Sequence, residues 1–128
     1  MIVAGIGFRR GVSAEEIEFA LAQTLASLES DQTSLQRIAV PSRKGDEQAL
    51  ATVVQARKVE LVLVPQNALE AAGSRAVSHS IRSLEAMNVP SVAEAAALAA
   101  AGEKGTLLRS RQVHGPVTCA IAQSERTR

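Results

Sequence analysis

The chain has 128 residues, of which 46% are apolar and 21% charged, with a single cysteine. That length suits one domain, 1–128, with a core of its own, and the composition excludes extended disorder and an internal disulfide framework. A net charge of +1 and a pI near 8.0, with two Phe and no Trp or Tyr, exclude a strongly basic, base-stacking nucleic-acid binder.

The first element is the apolar run Ile2–Ile6, a buried strand entering a glycine turn. Ile17, Leu21, Leu25 and Leu28 then recur at helical spacing, and Ser13 with Glu16 spells a capping box. Residues 1–29 thus read as strand, glycine loop and helix. Arg37–Val40 is a second strand, ended by Pro41 and followed by the loop Ser42–Gly45. Leu50, Val53, Val54 and Arg57 mark a second helix, with Asp46 and Glu47 in its first turn, where the helix dipole favours acids. Leu61–Val64 is apolar throughout, as a central parallel strand would be. A short helix over 67–72 stops at Gly73, and a further helix spans 78–87 before Pro90. Ser91 and Glu94 open an alanine-rich helix over 92–101, stopped by Gly102. Thr106–Val113 and Val117–Ala122 flank His114-Gly115-Pro116 as a strand pair, and 124–128 form a frayed tail.

This order predicts a three-layer α/β fold. A mixed, mostly parallel sheet of about five strands carries helices on both faces and a C-terminal antiparallel pair at one side. Charges follow the apolar N-terminal run, the reverse of a signal peptide, and no apolar run reaches the length of a membrane span. A cytoplasmic location is expected, with neither membrane nor nucleic acid as partner.

Ligands of open α/β sheets sit beyond the carboxyl ends of the strands. There the sequence places Gly5, Gly7, Arg9, Arg10 and Gly11 after the first strand, Arg43 and Lys44 after the second, and Gln66 and Asn67 after the third. Four cations and the helix starts at Ser13 and near Asp46 make an edge suited to phosphate or to several carboxylates. G-I-G-F-R-R-G is one residue longer than the dinucleotide fingerprint, no acidic residue ends the second strand, and no P-loop lysine follows. Ser13, Glu16, Ser91 and Glu94 also read as helix caps, and Asp46 and Glu47 as dipole partners. Glu94 stands on an otherwise bare alanine helix, so it reads equally as the polar end of a cleft. His79 and His114 have no partner at metal or triad spacing, and His114 is expected to be exposed in a turn. Cys119 reads as a small core residue. No metal site and no cofactor are expected.

Three segments carry a resemblance: G-I-G-F-R-R-G-V-S-A-E-E-I at 5–17, K-G-D-E-Q-A-L at 44–50 and S-V-A-E-A-A-A-L at 91–98. Together they resemble the CobE / CbiG C-terminal domain family of cobalamin biosynthesis, from Val3 to about Ala122. Many members have an acidic residue and an Ala where this chain has Lys44-Gly45. Phe8 stands at a variable position and is expected to carry no chemistry. The resemblance implies a corrin-pathway protein that binds or processes a precorrin, a macrocycle rich in carboxylates. It also implies two alternatives. One is a hydrolase acting on a precorrin lactone, with Glu94 or Glu15 activating water. The other is an accessory subunit docking on another pathway enzyme, which an exposed apolar patch on the alanine-rich helix would reveal. The full-length relatives that hydrolyse the lactone have N-terminal regions that this chain does not match. The substrate-binding set implied is Gly5, Gly7, Arg9, Arg10, Gly11, Ser13, Arg43, Lys44, Ser91 and Glu94, with the aliphatic walls supplied by Val92 and its neighbouring alanines.

Overall fold

The computed structural model describes residues 1–28, 35–76 and 91–124. The helix expected over 78–87 and the tail at 125–128 lie outside the described residues. The elements are β1 (Ile2–Phe8), α1 (Ala14–Ala26), β2 (Leu35–Pro41), a short 3₁₀ turn (Ser42–Lys44), α2 (Gln48–Arg57), β3 (Glu60–Val64), α3 (Gln66–Gly73), α4 (Val92–Ala101), β4 (Thr106–His114) and β5 (Val117–Gln123).

One five-stranded sheet has the order β3-β2-β1-β5-β4. β1, β2 and β3 pair in parallel, and β5 pairs antiparallel with both β1 and β4. Only β5 therefore runs against the other strands. β1 sits at the centre, and its alternation divides the core. Ile2, Ala4, Ile6 and Phe8 face α1 and α2 with Ile17, Leu21, Leu50 and Val53. Val3 on the other face packs with Ala39, Leu69 of α3 and Ala95, Ala97 and Leu98 of α4. The predicted mixed α/β sheet is the one observed.

Three local expectations change. β1 runs on to Phe8, paired with β5 up to Phe8–Val117, so Gly5 and Gly7 lie inside the strand and not in a loop. β3 is an edge strand and not a central one, and Leu63 is 48% exposed. The apolar sequence of β3 covers only what β2 and the two helix layers leave to it. α2 begins at Gln48, with Glu47 as its N-cap residue and Asp46 before it, so neither acid lies in its first turn.

α4 lies directly on β1 because Gly5 lets it. A Cβ built on Gly5 would stand 2.0 Å from the Ala93 carbonyl oxygen and 2.5 Å from the Ala97 nitrogen. The far end of α4 is held by Arg75, whose guanidinium donates to the carbonyls of Leu98, Gly102, Glu103 and Gly105. These contacts place the N-terminus of α4 beside Gly7, where a Cβ would lie 3.8 Å from Val92.

Candidate functional site

The carboxyl ends of β1, β2 and β3 share one edge of the sheet, and the strand register brings their following segments side by side. β1 passes into a four-residue turn closed by the Val12 N–H donating to the Arg9 carbonyl at 3.3 Å. Gly11 takes φ +85° at the third position of that turn, a conformation L side chains avoid. The turn presents Arg9 and Arg10 at its corner, both exposed. Val12, directly after it, is buried and anchors the chain before α1.

β2 ends at the buried Pro41, and the three-residue turn Ser42–Lys44 follows. Arg43 is exposed there, whereas Lys44 is half-buried and reaches across to β1. Lys44 Nζ donates to the Phe8 carbonyl at 2.8 Å and lies 5.2 Å from the centroid of the Phe8 ring. Burial, then Arg10, then Arg43 push the Lys44 ammonium below the usual lysine range, and Glu47 partly opposes them. Arg10 and Arg43 thus both act on Lys44, although they come from two different loops. Phe8 has a structural part here: its carbonyl and ring are the seat of Lys44. The signal available was a lysine just past the end of a strand neighbouring β1.

The other expected site residues divide by depth. Ser13 caps α1 in a complete box: its Oγ accepts from the Glu16 N–H at 3.0 Å, and its own N–H donates to Glu16 Oε1 at 2.9 Å. Glu15 is exposed on the first turn of the same helix. Gly5 is buried beneath α4, so its place is in packing and not at the rim. Gly7 is half-buried, with Thr118 across the strand pair.

Ser91 and Glu94 are fully buried. Ser91 Oγ accepts from the Glu94 N–H at 3.3 Å, the N-cap half of the expected box. The Glu94 carboxylate accepts from the Arg111 N–H at 2.8 Å. Register shifts on both sides of Arg109 make β4 irregular there, and Arg111 lies between Arg109 and Gln112. Glu94 therefore supplies the acceptor that an interrupted ladder leaves missing.

Ala93, Ala95, Ala96 and Ala97 are also fully buried, packed against the sheet and α3, so these four neither wall an open cleft nor form an exposed patch; Ala99 and Ala100 are half-buried. Val92, half-buried, is the aliphatic group of that helix nearest the edge. His114 ends β4, half-buried, with its ring edge-on to Phe19 at 5.9 Å between centroids. It is not in an exposed turn. Among the described residues no group of three or more His, Cys, Asp or Glu gathers as a metal site. No described helix is long and apolar enough to cross a membrane.

The profile of the family described as Cobalamin synthesis G C-terminus matches residues 2–122. Among curated proteins, no sequence matches the chain significantly. Among solved structures, CobE, a protein from the cobalamin (vitamin B12) biosynthetic pathway, superposes with a TM-score of 0.88 at 30% identity, over 100% of this chain and 93% of its own. The cobalamin biosynthesis protein chiG from Agrobacterium tumefaciens str. C58 gives a TM-score of 0.78 at 36% identity, over 98% of this chain and 100% of its own. A structure described as a cobalamin biosynthesis protein G homolog, from Sulfolobus solfataricus, shares the fold with a TM-score of 0.69 at 22% identity. The match there covers 97% of this chain but only 37% of the longer one.

Proposed function

The chain belongs to the Cobalamin synthesis G C-terminus family and is a cobalamin biosynthesis pathway protein; from that premise we propose that it binds a carboxylate-rich tetrapyrrole of the precorrin type at the rim formed by Arg9, Arg10, Arg43 and Lys44. The observation that carries this reading is the convergence of cations from two neighbouring strand ends, where Arg10 and Arg43 add to burial in lowering Lys44. Crowding of like charges is unfavourable by itself and is relieved by an anion. Guanidinium groups suit carboxylates, because the planar fork donates two parallel bonds. A ligand carrying several carboxylates around a flat ring would meet several of these groups at once.

The reading is of binding. Glu94 is buried with its carboxylate turned to the β4 backbone, which supports a structural role and not activation of water at the rim. Uroporphyrin, a water-soluble porphyrin with carboxylates all round its ring, is the practical probe. Its absorption band should shift saturably with the wild-type protein, and the affinity should fall as salt rises. Arg9→Ala combined with Arg10→Ala should weaken binding at least about tenfold, the loss of one well-shielded charge-assisted bond or two partly screened ones. The reading fails if the double variant, folded by circular dichroism, binds as tightly as the wild type.

A further inference from the structure

Lys44 differs from the other cations of the rim in its burial and in its tie to β1. Arg9, Arg10 and Arg43 are exposed. Lys44 is half-buried, donates to the Phe8 carbonyl at 2.8 Å and lies over the Phe8 ring. Phe8 is a fixed point: its side chain is buried in the core, and its backbone pairs with Val117 of β5. The Ser42–Lys44 turn is closed within itself, by the Gly45 N–H donating to the Ser42 carbonyl and the Glu47 N–H to the Lys44 carbonyl, and Gly45 lies against Leu63 of β3; Lys44 is what reaches from it to β1. The turn is three residues long, and no side chain caps its start. Arg43 is its middle residue. The charged groups that act on Lys44 are Arg10, Arg43 and Glu47. The first two oppose its charge, so an ammonium held among them has to be placed by its carbonyl and ring contacts.

We propose that Lys44 is the positioning residue of the rim: its bond to the Phe8 carbonyl fixes the Ser42–Lys44 turn against the end of β1, sets Arg43 beside Arg10, and acts on the ligand through Arg43. This rests on the anion-binding reading above and names the residue that gives that site its shape. Lys44 contributes placement. The exposed guanidinium groups contribute the contacts.

A double-mutant cycle in uroporphyrin affinity separates placement from contact. Lys44→Met keeps the aliphatic stem over Phe8 and removes the donor and the charge. In the wild-type background it should weaken uroporphyrin binding by about tenfold, the loss of one charge-assisted bond. In an Arg43→Ala background it should change affinity by less than about twofold, the usual limit of additivity error, because nothing remains for Lys44 to place. Lys44→Arg, which retains a donor long enough to reach the carbonyl, should restore most of the affinity. Equal losses from Lys44→Met in both backgrounds would mean that Lys44 contacts the ligand directly, and would overturn the inference while leaving the anion-binding reading intact. Absence of uroporphyrin binding by the wild-type protein would overturn both. Thermal unfolding of each variant identifies any loss that comes from misfolding.

Discussion

At Gly5 the lack of a single carbon decides where a helix can lie. Any Cβ there would overlap the Ala93 carbonyl and the Ala97 nitrogen, both backbone atoms that no rotamer change can move. Gly5→Ala should therefore cost at least the upper part of the usual overpacking range of about 1–3 kcal/mol, read from urea unfolding; a change below the error of the fit would contradict the packing described. Cys119 makes a second residue-scale prediction. Burial raises its thiol from 9.0 to about 12. The raised value keeps the thiol neutral in the fold, so this contribution to stability is complete below pH 9.0 and is lost as pH rises towards about 12. The wild type should lose stability across that window by a component absent from Cys119→Ala, and parallel pH profiles would count against it. The positions of Arg9, Arg10, Arg43 and Lys44 past the ends of β1 and β2 were legible, although β1 continues beyond its apolar run, through Gly7 to Phe8. The role of Gly5 was not: a glycine beside an apolar run reads equally as a turn or as a close approach, and only the helix lying across it distinguishes the two.

Among the elements, α4 shows how a cap residue can serve two structures. Ser91 with Glu94 was readable as a capping box, and the Ser91 half forms. The carboxylate's bond to the Arg111 N–H depends on the interruption of β4, which no spacing in the helix reveals. Glu94→Ala should cost about 1 kcal/mol or more by leaving a half-buried N–H without its acceptor, whereas Glu94→Gln, which keeps an acceptor oxygen, should cost less. Equal stabilities in chemical denaturation would remove Glu94 from this role. If Glu94 is structural, Glu94→Gln should also leave uroporphyrin affinity unchanged. β3 illustrates the opposite limit. Glu60–Val64 has the sequence of a strand covered on both sides, yet it lies at the sheet edge beside β2. Composition reports how apolar a strand is, while its neighbours are set by the connections.

Over the whole molecule, the alternation of strands and helices was enough to predict the α/β class and the antiparallel C-terminal pair. The strand order was harder to read, because β5 pairs with β1 across nearly the full length of the chain. That pairing makes β1 central, flanks it on both sides and turns the end of β1 into the rigid base from which Arg9 and Arg10 project. The parallel pairing of β1 with β2 sets the loop carrying Arg9 and Arg10 next to the one carrying Arg43 and Lys44, and Arg10 and Arg43 both act on Lys44 across that gap. The most direct test of the account is a map of backbone amide shifts in the NMR spectrum as uroporphyrin is added, since the porphyrin ring current displaces nearby signals strongly. The account predicts saturable shifts concentrated at residues 9–13 and 42–45. Shifts centred on β3 or on the C-terminal end of α4, or none at all, would contradict it.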